Sequence, residues 1–204
     1  MTRLLAVVAG ICLVLLAAEA PAAPVPDAVK EPVLFFPVAR VTWTYQYHEP
    51  GDRVGVEVVE FVRSVTEAGG ETLVALGSVH DGEARPSSLV VAVSGRGVVE
   101  GGRPGSAPFR PHRTLLRCPA VPGDRWVVPA PAPGYPEERY ETRGAERVEV
   151  PGGRFDAVRV DTTSVWREGG TRVDRNWYAP NVGLVRWEDG LGRSMVLKRV
   201  ARRH

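Results

Sequence analysis

Few side chains in this sequence have the type and spacing that catalysis needs. Cys12 lies in an apolar N-terminal run, and Cys118 sits in Leu115-Leu116-Arg117-Cys118-Pro119. A reactive thiol needs exposure and a nearby base or cation. Arg117 is adjacent, but successive residues of a strand point to opposite faces, so Cys118 is expected as a small buried apolar residue. His80, Asp81, His112 and Cys118 are too dispersed for a metal site, whose ligands must converge on one ion. No metal and no other cofactor is expected. The Gly-x-Ser-x-Gly turn of a serine hydrolase is absent. The glycines of Gly95–Gly101 miss the dinucleotide spacing by one residue and precede no helical pattern. Asp156, Asp161 and Asp174 are candidates for a glycosidase carboxyl pair, which needs a separation of about 5–9 Å. Arg159, Arg172 and Arg175 lie at hand to pair with them instead. No catalytic residue is assigned, and a hydrolase of undefined type ranks third among the functional readings.

What remains is aromatic. Trp43, Tyr45 and Tyr47 alternate with Thr42, Thr44 and Gln46, so all three share one strand face. Trp126, Trp177 and Tyr178 fall near turns or strand ends. Aromatic rings bury large apolar areas and dominate sheet packing, so one reading is core. The other is that Trp43, Tyr45, Tyr47, Trp126, Trp177 and Tyr178 line an apolar concavity that takes a lipid or acyl chain. Large exposed apolar patches are seldom left to water, so an uncovered concave face must collapse or bind something.

The elements that would position these rings are strands. From Val148 to Trp187 the chain reads as three strands joined by turns at Pro151-Gly152-Gly153, Glu168-Gly169-Gly170 and Pro180-Asn181-Val182-Gly183. Proline fixes φ, while glycine and asparagine tolerate left-handed φ, which lets the chain reverse. Val158, Val160 and Thr162 alternate with Ala157, Arg159 and Asp161, the period of a half-buried strand. Val41–His48 has the same alternation. In Val54–Val65 the alternation slips between Val58 and Val59, which predicts a bulge or an exchange of faces there. Val98-Val99 is expected as a short strand within a mobile glycine-rich hairpin. No stretch has apolar spacing of three and four with caps, so little helix is expected. The fold class is all-β: one antiparallel meander of about 9–11 strands, forming a strongly curved sheet or half-barrel.

The run VPGGRFDAVRV, then WYAPNVGLVRWE, then a final strand, preceded by TLLRCPAVPGDRW, resembles the TapB-like family of exported bacterial proteins of unknown function. These pieces span roughly Thr114 to Val200, and the family looks distantly similar to LolA-type lipoprotein carriers. The chain departs from the family pattern with Asn181 where glycine is more usual and Cys118 where an apolar residue is usual. The resemblance implies a half-open barrel that holds a lipid or lipoprotein. Carriers of that kind place helices in the concavity, and this chain has none to spare.

Residues 1–22 read as a secretory signal, with Arg3, an apolar run from Leu4 to Ala18 and a cleavage site near Ala22. The apolar run is shorter than the ~20 residues that span a bilayer comfortably, so membrane contact is expected only transiently or through an uncleaved signal. Residues 23–37 are proline-rich and expected as an extended tether, and 38–204 as one β domain. After cleavage Cys118 stands alone, so no disulfide supports the fold. The net charge is +2, and the arginines are scattered among Asp and Glu rather than clustered with exposed aromatics, so nucleic acid is not an expected partner. The expected protein is exported to the periplasm or beyond. It is non-catalytic and binds a lipid, acyl chain or lipoprotein. The alternative is an interaction module that pairs an exposed sheet edge with an envelope protein by strand addition.

Overall fold

The computed structural model describes residues 34–85, 89–102 and 112–202. The expected signal peptide, most of the expected tether and residues 103–111 lie outside the described residues. Thirteen strands form one sheet, and no helix occurs among the described residues. The strands are β1 (Val41–His48), β2 (Val56–Ala68), β3 (Glu71–His80), β4 (Glu83–Arg85), β5 (Val90–Ser94), β6 (Gly97–Gly102), β7 (Arg113–Arg117), β8 (Arg125–Val128), β9 (Glu137–Val150), β10 (Gly153–Val165), β11 (Thr171–Ala179), β12 (Gly183–Glu188) and β13 (Ser194–Arg202).

The sheet order is β7-β6-β5-β3-β2-β1-β13-β12-β11-β10-β9-β8, with β4 paired to β3 beside this path. Every pairing is antiparallel, and β1 lies between β2 and β13. The first strand thus joins the two arms of the meander, and the curled sheet forms a nearly closed barrel. The two edge strands, β7 and β8, are consecutive in sequence. An open edge exposes unpaired backbone groups. Here side chains close the seam: Trp126 Nε1 donates to the Thr114 carbonyl at 2.8 Å, and the Arg117 guanidinium lies 5.0 Å from the centre of the Trp126 ring.

Register fixes which side chains face inward. Trp43 pairs with Glu60 and Tyr45 with Val58, so these share the inner face. Val158 and Thr162 project inward with Tyr178 and Tyr140 across from them. Val74, Leu116, Val160, Val185 and Leu197 have no accessible surface. Each such side chain contributes about 1.5–3 kcal/mol relative to full exposure, and with Cys118 the only described cysteine and unpaired, burial carries the stability.

Three local expectations change. The bulge in β2 lies between Val62 and Ser64, not at Val58/Val59. With no slip at Val58, the residues Val58, Glu60 and Val62 stay in one phase. Val98 is buried core in β6, which pairs with both β5 and β7, so this strand is an integral part of the sheet. Gly97 makes that possible, because a Cβ there would sit 1.9 Å from the Leu116 carbonyl oxygen. Leu34, Phe35, Phe36 and Val38 pack against the core, so the ordered barrel begins a few residues before the boundary read at Pro37. Phe36 tilts onto Trp43 with ring centres 5.4 Å apart, and Asn181, at φ 57°, donates its N–H to the Leu34 carbonyl at 2.7 Å. This segment covers one end of the barrel.

Candidate ligand-binding site

The uncovered end is built differently. Five neighbouring strands, β3, β2, β1, β13 and β12, send Tyr47, Val56, Val58, Glu60, His80, Leu184, Trp187 and Met195 around a cavity of about 770 Å³, with Asp81 at its rim. Register accounts for this convergence. Tyr47 pairs with Val56 and Met195, Val58 with His80, and Trp187 with Met195, so all lie on the inner face. Asp81 takes φ 49° where β3 turns into β4, which agrees with the reading of His80-Asp81-Gly82 as a strand end. The walls are apolar and aromatic. Tyr47 and Trp187 stack with ring centres 6.3 Å apart and planes 16° from parallel. The Tyr47 hydroxyl donates to Glu49 at 2.6 Å.

Glu60 is the exception in this wall. It lines the cavity beside Val58, half-buried on the inner face, and has no hydrogen-bond or ion-pair partner among the described residues. Desolvation by burial pushes its carboxyl up to about 7 from an ordinary 4.5. Burial of the charged form without a partner is costly, so the proton is held instead. Its charge adds to burial in raising the neighbouring Tyr45 phenol.

The six aromatic residues named from the sequence go to several places. Trp43 is 1% exposed, and its Nε1 donates to the Val182 carbonyl at 2.7 Å. Tyr45 is buried, with its hydroxyl on the Leu184 carbonyl at 3.0 Å. Tyr178 is buried on the inner face, and burial pushes its phenol up. Trp126 stacks on Tyr140, with ring centres 5.1 Å apart, at the seam. Trp177 faces outward between the Arg159 and Arg186 guanidinium groups, at 5.6 and 5.0 Å, and donates to the Glu146 carboxylate. Of the six, Tyr47 alone lines the cavity at the open end. The cavity residues not assigned to the site from the sequence include Glu60, Leu184, Trp187 and Met195. The signal for Glu60 was its parity with Val58 and Val62, which an unslipped strand reveals.

The acidic residues considered for glycosidase chemistry pair with arginine. Asp161 accepts from Arg159 Nε at 2.7 Å and Arg143 Nε at 2.9 Å. Asp174 pairs with Arg172 at 2.9 Å and Asp156 with Arg147 at 3.3 Å. Cys118 is half-buried, and burial raises its thiol, which disfavours the nucleophilic thiolate. Among the described residues no group of three or more His, Cys, Asp or Glu is arranged to hold a metal ion.

No known family matches the chain, and no curated protein does. Two solved structures resemble it. One is a Bacteroides fragilis protein described as a candidate exported protein with a YmcC-like fold; it is 18% identical, covers 83% of this chain and 100% of its own, and has a TM-score of 0.55. The other, described as a candidate lipoprotein from Parabacteroides distasonis, is 15% identical over 84% of this chain and 100% of its own, with a TM-score of 0.46. The likeness is one of fold. It places the chain with the YmcC-like architecture of the first structure. It does not reach the TapB-like or LolA-type families, and at these identities no residue role carries across.

Proposed function

We propose that this is a non-catalytic exported protein that holds an apolar ligand, a lipid or acyl chain, in the open end of its barrel. One observation carries the reading: about 770 Å³ bounded by the apolar and aromatic side chains of Tyr47, Val56, Val58, Leu184, Trp187 and Met195 is left open. Small-molecule sites fall within roughly 300–1,000 Å³ and are mostly apolar with a few polar groups. The signal-like N-terminus and the shared fold with a candidate exported protein support an envelope location. Strand addition at a sheet edge has less room, because Trp126, Arg113 and Arg117 already bridge β7 to its neighbours across the seam.

The test is titration with N-phenyl-1-naphthylamine, an uncharged dye that brightens in apolar surroundings. The expected result is saturable binding that Met195→Trp, which fills the cavity, weakens by at least ~10-fold, equivalent to about 1.4 kcal/mol. Equal binding by both proteins, or none by either, would overturn the reading.

A further inference from the structure

The open end holds a carboxyl group that the chain itself does not neutralise. Every other strongly buried acid whose partners are known meets an arginine. Asp161 has Arg159 and Arg143, Glu138 has Arg113, and Asp189 has Arg193 at 2.6 Å together with the N–H groups of Leu191 and Arg193. The chain is rich in arginine, so pairing Glu60 would have needed only one basic residue in phase on β1 or β3. The positions across from it carry Trp43 and Ser78 instead.

The surroundings specify what would complete the site. Besides Glu60, the groups lining this space are Tyr47 from β1, His80 from β3, Asp81 from the turn after it, and Leu184 and Trp187 from β12, while the buried Tyr45 lies close enough to feel the charge of Glu60. Arg193 lies 5.9 Å from the Trp187 ring centre at the rim, but Asp189 holds its charge. The unneutralised groups are therefore two carboxyls, Glu60 and Asp81. The stacked Tyr47–Trp187 pair adds π faces, which attract cations. An anionic head group would meet two acids here, whereas a cationic one would meet a counter-ion and aromatic walls.

We propose that the open end of the barrel selects amphiphiles with a single ammonium head group, and that Glu60 is the counter-ion that head group meets. This rests on the apolar-ligand reading above and adds the head-group chemistry. On entry the ammonium favours the ionised carboxylate, so binding near neutral pH releases a proton from Glu60. Release then grows as pH falls toward the free protein's titration point.

Calorimetric titration with dodecylammonium and dodecanoate below their micelle concentrations, and dodecanol below its solubility limit, separates the possibilities. The wild-type chain is expected to bind dodecylammonium at least ~10-fold more tightly than dodecanol, with dodecanoate weakest, as a charge-assisted contact requires. Glu60→Gln is expected to bring dodecylammonium down to the dodecanol level. Asp81→Asn, compatible with the positive φ there, is expected to lower dodecylammonium binding only slightly. If dodecanol or dodecanoate binds wild type as tightly as dodecylammonium, the head-group proposal falls and the apolar site stands. The same holds if Glu60→Gln keeps the preference. If Asp81→Asn removes the preference instead, the role of Glu60 is overturned. If none of the three binds, both readings fail.

Discussion

The seam and the open end of the barrel handle buried charge in opposite ways. At the seam, Arg113 of β7 forks onto Glu138 of β9 with bonds of 2.8 and 2.7 Å and reaches Glu100 of β6 at 2.8 Å. Tyr140 adds its hydroxyl to Glu138 at 2.6 Å. Burial draws the Arg113 guanidinium down, but the bond to Glu138 and the nearby charges outweigh it, so the ion is held firmly protonated. At the open end, Glu60 has the burial without the partner. A buried ion pair adds little net stability, yet removing one member is expensive. The seam therefore uses charge to fix which edges meet, whereas the open end leaves its carboxyl unpaired, the feature on which the ammonium proposal rests.

The largest effect expected from breaking this contrast is at the seam. Arg113→Met removes the counter-ion that Glu138 and Glu100 share and should lower unfolding stability by about 3 kcal/mol in urea titration at unchanged m-value. That is the low end of such losses, because the Arg113 side chain keeps 36% of its surface accessible. Next comes Glu60→Gln, with the opposite sign. The folded-state carboxyl titrates near 7 against 4.5 when solvated, so the native state binds the extra proton between those values. Stability of the wild type should then fall as pH rises through that window and level off above it. The variant should lack this fall and be more stable by about 2 kcal/mol at high pH, a discounted share of the shift because Glu60 is partly accessible. Trp126→Phe removes the indole bond to Thr114 and should cost about 1 kcal/mol, with faster amide exchange confined to β7 and β8. Smallest of all, Trp177→Phe on the outer face should leave dye affinity within ~2-fold, which separates it from the aromatics of the open end.

How legible these two regions were depended on sequence distance. Period-two alternation in Val41–His48 and Phe155–Thr163 reports a half-buried sheet directly, and Asn181 does take the left-handed turn its type allows. Closure is not legible in this way. It depends on Arg113 meeting Glu138, and on Trp126 reaching a backbone carbonyl across the seam, neither of which leaves a local period. The open end was hidden by a phase error: one imagined slip at Val58 moves Glu60 to the solvent face. Neighbouring residues such as Trp177 and Tyr178 point to opposite faces of a regular strand, so parity alone separated the outer ring from the inner one. Val98-Val99 read as mobile because glycines flank it. Gly97 among them allows the close backbone approach of β6 and β7.

The most direct measurement is a carbon-13 NMR titration of the Glu60 side-chain carboxyl, assigned by comparison with Glu60→Gln. The account predicts a midpoint near 7 in the free protein, moving down by about one unit or more when dodecylammonium saturates the site. A midpoint at the ordinary 4.5, unmoved by the amine, would show a solvated carboxylate with no ligand to wait for and would contradict it.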